Sequence, residues 1–275
     1  MARAAEGAGF DSVWVGDHLL YDDPRRGPWE AWSTLAALAA VTSRVELGPL
    51  VASASFHNPA MLAKKAAAVD EIGGGRLILG LGAGWNEVEY RAFGFPFDHR
   101  FERFEEAFTI IRGLLREGRV DFEGRYHRAR DCVLLPPPAR QGGPPIMLGT
   151  MGSRMLRLAA AHADAWNAWF AWFGNTPEGL APLLERVDQA CRAVGRDPST
   201  LQRTAAVLVQ VGDGPPAGRG GRFETPPPVR GHPEELAESL HRFASVGLSH
   251  VQLVLDPITI ASIEAVGAAL AALDA

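Results

Sequence analysis

The sequence predicts an α/β fold of the TIM (β/α)8 type that lacks its first strand. Short apolar runs, the length of buried strands, recur near 12–16, 45–51, 76–82, 146–149, 164–168, 204–211 and 250–255. Stretches with helix start and stop signals separate nearly all of them. At 275 residues the chain is long enough for one barrel. Strict β-α alternation implies a parallel sheet with right-handed crossovers, and a barrel of this kind has eight strands.

The chain opens out of phase. Residues 2–9 read as the tail of a helix closed by Gly7 and Gly9, where a βα-repeat protein should begin with a strand. The strand ending at Gly16 runs into Asp17-His18, and Tyr21 to Gly27 is a charged loop. Pro28 is expected at the first position of a helix reaching about Thr42. Asn58-Pro59 is an N-cap followed by proline, opening a helix that runs to Ile72 and stops at Gly73-Gly74-Gly75. Residues 87–100 read as a loop. Phe101, Phe104, Phe108, Ile111 and Leu115 then form one apolar helical stripe. An insertion near 117–145, rich in Gly and Pro, is expected to hold a small hairpin around Gly124 and to pack on a single barrel domain covering 1–275. Thr176-Pro177 caps a helix closed by Gly195, residues 212–231 form a Gly/Pro-rich loop, and Pro233 starts a helix closed by Gly247.

Composition narrows the function. With 47% hydrophobic and 21% charged residues the chain has the profile of a globular enzyme. A net charge of -5 without any basic block argues against nucleic acid or an anionic membrane surface as partner. No apolar run reaches a membrane span, and no signal peptide opens the chain, so the expected location is the cytoplasm. Cys132 and Cys191 are expected as free thiols, and the eight histidines show no ligand spacing, so no metal site is expected.

The stretch 76–87 organises the rest. Gly82 and Gly84 follow a buried strand, where glycine permits a sharp turn and the close approach of a ligand. Trp85 and Asn86 add a flat apolar plate and a two-way hydrogen bonder at the strand's carboxyl end, the ligand-binding edge of parallel α/β folds. Asp17 and His18 end another strand. On residues alone they are either a loop cap and a solvent-facing ring, or an acid and an imidazole placed to move a proton near neutral pH. Gly149, Thr150, Gly152 and Ser153 precede a helix. An N-cap needs only Ser153, and two glycines with two hydroxyls exceed that need, so the cluster is read as a phosphate site. Lys64 and Asp70 fall inside a helix and read as packing and surface pairing, and His57 merely precedes a cap.

In order along the chain, Ala8-Gly-Phe-Asp-Ser-Val-Trp-Val-Gly-Asp-His18, Leu47-Gly-Pro-Leu-Val-Ala-Ser53 with Asn58-Pro59, Gly74-Gly-Arg-Leu-Ile-Leu-Gly-Leu-Gly-Ala-Gly-Trp-Asn86, and Met147-Leu-Gly-Thr-Met-Gly-Ser153 with Ala163-Asp-Ala-Trp-Asn167 resemble the luciferase-like monooxygenase superfamily. They are most similar to its branch that uses the deazaflavin coenzyme F420. The resemblance implies hydride transfer to or from a small organic substrate. Its rivals are an FMN-dependent monooxygenase served by a separate reductase and a non-catalytic flavin-binding relative. It assigns His18 and Asp17 to catalysis, with Asp17 expected to orient the imidazole or to raise its pKa by its negative charge. Cofactor binding falls to Val51, Ser53, Gly82, Gly84, Asn86, Gly149, Thr150, Gly152 and Ser153. Several members have a non-proline cis peptide at the position of Leu50–Val51, with Val51 backing the ring. In some, an acid follows the fourth-strand glycines, where this chain has Trp85. The family's first strand would precede Arg3, and members are often dimers.

Overall fold

The computed structural model describes residues 1–21, 27–212 and 224–273. In chain order the elements are α1 (Ala2–Gly7), β1 (Ser12–Val15), α2 (Ala31–Val41), β2 (Glu46–Pro49), β3 (Ala52–Ser53), α3 (Pro59–Ile72), β4 (Leu79–Gly82), α4 (Glu87–Phe93), α5 (Arg100–Glu117), β5 (Arg119–Glu123), β6 (Arg128–Val133), β7 (Ile146–Gly149), α6 (Ser153–His162), β8 (Ala165–Trp169), α7 (Pro177–Ala193), β9 (Gln202–Gln210), α8 (Pro233–Ser245), β10 (His250–Asp256) and α9 (Ile260–Leu273). Contacts group the chain into two compact units, residues 14–148 and residues 1–13 with 149–275.

In the unit 14–148, β1 pairs with β2, and Leu50 N–H donates to Val15 O at 2.8 Å. Leu47 bridges to Leu77 in parallel, β3 pairs in parallel with β4, and β4 in parallel with β7. Strand contact is close because Gly48 carries no side chain: a Cβ there would lie 2.4 Å from the Trp14 ring and 2.5 Å from Ile78 O. The apolar run expected at 45–51 is divided. β2 stops at Pro49, the Leu50–Val51 peptide is cis, and β3 resumes at Ala52. Helix α2 starts at Ala31 rather than at Pro28, because Glu30 is the cap: its carboxylate accepts from Trp32 N–H (3.0 Å) and Ser33 N–H (2.7 Å).

The amino ends of these strands are tied by two cations. Arg76 donates to the carbonyls of Gly73, Ala39, Thr42 and Val45 and to the Thr42 hydroxyl, satisfying orphan carbonyls where α2 and α3 end. Asp70, expected at the surface, is fully buried. It accepts from Leu77 N–H (3.0 Å) and from Arg140 (2.9 Å), so it fixes the entry to β4.

The predicted hairpin forms from β5 and β6. Its turn docks on α5, where the Glu106 carboxylate accepts from the N–H groups of Arg125, Tyr126 and His127 at 2.8 Å each. Burial would raise that carboxyl, but the three donors together outweigh it and hold the group below its ordinary range.

The other unit carries the parallel ladder β8-β9-β10. Asn167, Thr204 and Gln252 form a buried polar row across it, joined by Asn167 Nδ2 at 2.9 and 2.8 Å. Arg196 ties the end of α6 through Ala160 O and Ala163 O. Ser12 Oγ and His250 Nε2 are 2.8 Å apart, while β1 and β10 are not ladder neighbours among the described residues. Of the expected 212–231 loop, residues 213–223 lie outside the described residues, as do 22–26 of the charged loop. Val229 beyond it bridges to Val209. Both cysteines are free, and no helix among the described residues is long and apolar enough to cross a membrane.

Candidate functional site

The carboxyl ends of β1, β3 and β4 deliver Asp17-His18, Ser53 and Gly84-Trp85-Asn86 to one end of the unit 14–148. Asp17 is 6% exposed. Its Oδ2 accepts from Ser53 N–H at 2.9 Å and from His57 Nε2–H at 3.0 Å. Asp17 therefore does not orient the His18 ring, contrary to the expectation from the sequence. The carboxylate turns back toward the start of α3, and His57, which read as a bystander, is its partner.

Glu89 holds His18 instead. His18 Nδ1 lies 3.1 and 3.2 Å from the two carboxylate oxygens of Glu89. Glu89 Oε1 also accepts from Leu19 N–H (2.6 Å) and Leu20 N–H (3.2 Å), so one buried acid fixes both the ring and the backbone beyond it. Burial pushes the Glu89 carboxyl up. The His18 hydrogen bond and charge, with the two N–H donors, outweigh burial and hold it below the usual carboxylate range. An ionised acceptor on Nδ1 keeps the proton there and leaves Nε2 as the basic nitrogen. The His18 side chain is 38% exposed, and it meets Trp85 edge-on, with ring centroids 5.6 Å apart at 77°.

Glu89 was missed because residues 87–100 read as a loop. They begin with the short helix α4, whose signals are all local. Asn86 caps it by accepting from Val88 N–H at 3.2 Å, Glu87 and Glu89 occupy its first turn, and Gly94 closes it with φ 77°. The oxygen of Asn86 is thus committed to the cap. Gly84 has φ 73°, and a Cβ on it would lie 2.0 Å from Tyr90 Oη and 2.4 Å from Ser53 Oγ. The space beside Gly84 is taken by the chain itself, so its glycine serves packing. Tyr90 Oη donates to Ala83 O at 2.7 Å, and Gly82 pairs with Ser53 in the ladder. Val51 follows the cis peptide at the end of β2, as expected from the resemblance.

The remaining predicted residues lie in the other unit. Gly149 ends β7, and Gly152, rather than Ser153, is the N-cap of α6. The helix start has no side-chain cap, Ser153 is exposed, and no heavy atom lies within 4 Å of a Cβ built on Gly152. Thr150 is buried and serves the turn: its hydroxyl accepts from Gly152 N–H at 3.3 Å, and its carbonyl accepts from Trp166 at 2.7 Å. Among the described residues no group of His, Cys, Asp and Glu could hold a metal.

Each unit is parallel α/β, and the unit 14–148 carries candidate acid–base groups at the carboxyl ends of its strands, the pattern of a (β/α) enzyme. The luciferase-like monooxygenase profile matches residues 1–218. The chain belongs to the luciferase-like monooxygenase family. It is 33% identical over 241 residues to the F420-dependent hydroxymycolic acid dehydrogenase of Mycobacterium tuberculosis, covering 83% of this chain and 65% of that one. It is 32% identical over 205 residues to the pyrimidine monooxygenase RutA of Stutzerimonas stutzeri, covering 71% and 56%. The chain thus spans less than two thirds of the length of either relative. Among solved structures, an F420-dependent secondary alcohol dehydrogenase in complex with an F420-acetone adduct shares the fold, with a TM-score of 0.83 at 22% identity over 99% of this chain and 93% of that one.

Proposed function

We propose that the protein is an oxidoreductase that uses coenzyme F420 to move a hydride between an alcohol and the corresponding carbonyl compound. The observation that carries this reading is the His18–Glu89 pair, an imidazole with one nitrogen locked to a buried carboxylate and the other free to exchange a proton. The F420-dependent dehydrogenase among the relatives supports the cofactor.

Each unit, taken by itself, has residues that fit a part of the group. The start of α6 offers uncapped backbone N–H groups, an exposed hydroxyl on Ser153 and open space beside Gly152, a donor set suited to a phosphate. The segment Val51–Ser53 and Gly82 offer the ring a wall at the strand ends. When bound, the deazaflavin supplies the hydride acceptor or donor. His18 Nε2 takes the hydroxyl proton as the alcohol carbon loses its hydride, and returns it in the reverse direction. Glu89 keeps the proton of the imidazole on Nδ1 and stabilises the imidazolium that forms. Trp85 packs edge-on against the imidazole.

The test is to titrate the purified protein with F420 and with FMN separately, following fluorescence quenching, and then to follow F420 reduction with a panel of alcohols. F420 should bind and be reduced. Binding of FMN alone would favour the monooxygenase reading, and binding of neither would end the cofactor assignment. Ser153→Ala should weaken F420 binding by about tenfold, the value of one charge-assisted hydrogen bond.

A further inference from the structure

We infer that His57 is a positioning residue for the proton-transfer site, and that Lys65 sets the tautomer in which it works. The inference rests on His18 being the proton carrier of the proposed reaction. His57 ends the turn that follows β3. Its side chain is 10% exposed and enclosed from three directions. Trp32 of α2, itself 4% exposed, meets the ring edge-on, with centroids 6.3 Å apart at 90°. Lys65 of α3 places Nζ 3.5 Å from Nδ1, and Asp17 places Oδ2 3.0 Å from Nε2.

A hydrogen bond from Lys65 to the ring selects one tautomer. An ammonium has no lone pair, so Nδ1 must accept, and Nε2 therefore carries the hydrogen that Asp17 receives. In that tautomer the ring links the Lys65 ammonium to a carboxylate that is nearly out of water. The same carboxylate oxygen receives Ser53 N–H at 2.9 Å. Asp17 is thus the point at which three segments are fixed: the end of β3, the start of α3, and the peptide that leads into His18. A buried carboxylate with one donor removed is under-solvated, and it either seeks water or moves. Either event shifts the backbone of residue 18 relative to Glu89, and proton transfer is sensitive to a displacement of that size.

Two adjacent residues thereby reach in opposite directions. Asp17 is paired with His57 and His18 with Glu89, so the loop is held at both side chains. The second pair touches the reaction, whereas the first sets the position from which it does so.

The experiment compares His57→Leu with His57→Gln in the full chain. The glutamine amide can still donate to Asp17, and leucine cannot. Nitrogen-15 NMR of the cofactor-free protein should show His57 protonated at Nε2 and bare at Nδ1. The His18 ring resonances should move in the leucine variant and stay near wild type in the glutamine variant. With F420 and a competent alcohol, the leucine variant should lose about tenfold or more in kcat, and glutamine should recover most of it. Equal damage in both variants, with His18 resonances unmoved, would reduce His57 to core packing. An Nδ1-protonated ring would overturn the tautomer. If wild type reduces no F420, the proposed reaction fails, and the NMR comparison alone decides whether His57 positions His18.

Discussion

His18 and Glu89 lie 71 positions apart in sequence, and their side chains meet at 3.1 Å. Helix α4 exists largely to make that meeting possible. Its second residue after Glu87 is the acid, and its first turn is aimed at the loop after β1. Replacing Glu89 by glutamine keeps the volume and removes the charge. Turnover should fall by at least about tenfold, because Nδ1 loses its ionised acceptor. Stability should acquire a pH signature. The native carboxyl sits below its unfolded value of about 4.3, so its contribution is complete above that pH and is lost as pH falls through the native value. Urea titrations at several pH values should show wild type and Glu89→Gln converging in acid.

His18→Ala removes the proton carrier of the proposed reaction. The rate of single-turnover cofactor reduction should drop by roughly 10² to 10⁴, with cofactor affinity little changed. A single-turnover rate within about threefold of wild type would hand the proton to water or substrate.

Gly84→Ala should destabilise the fold by about 2 kcal/mol or more, through the strain of φ 73° and the collision of the new methyl with Tyr90 Oη. Tyr90→Phe introduced beside it removes the shortest of the contacts, but leaves those with Ser53 Oγ at 2.4 Å and the ring carbon at 2.9 Å, and the strain. The double variant should therefore be more stable than the sum of its parts implies, which thermal unfolding of the three variants measures.

Glu106→Gln should loosen the hairpin and leave the rest of the unit intact. Hydrogen exchange at the amides of residues 125–127 should accelerate by about tenfold or more, while exchange in β4 stays unchanged. Lowering the pH through the native pKa of Glu106 should reproduce that loosening in wild type, since protonation removes the charge that the three N–H groups hold.

The parallel fold was readable because buried strands and capped helices alternate, and the signals at Asn58-Pro59, Thr176-Pro177 and Gly124 are local chemistry that tertiary packing did not override. The site was readable only in part. His18 and Ser53 were singled out through the resemblance, and the structure brings both to the carboxyl ends of β1 and β3. Glu89 and His57 were not, since each acts through a partner 71 or 40 positions away. Asp70 was assigned to helix packing and surface pairing because it lies within a helix, which does not reveal that Arg140, beyond the hairpin in sequence, pairs with it. Asn86 and Gly84 were credited to a ligand where a cap and a tyrosine account for them.

Arg76 separates what this unit must keep from what it is free to change. One guanidinium closes the helix ends around the amino termini of the strands, at the opposite end of the parallel ladder from His18. Selection for a new substrate can therefore rewrite residues 19–21 and the outward face of α4 while the mutational load on folding stays low. Libraries built on this scaffold should leave position 76 untouched and concentrate diversity at the far end, where a substitution alters what is recognised more readily than whether the chain folds.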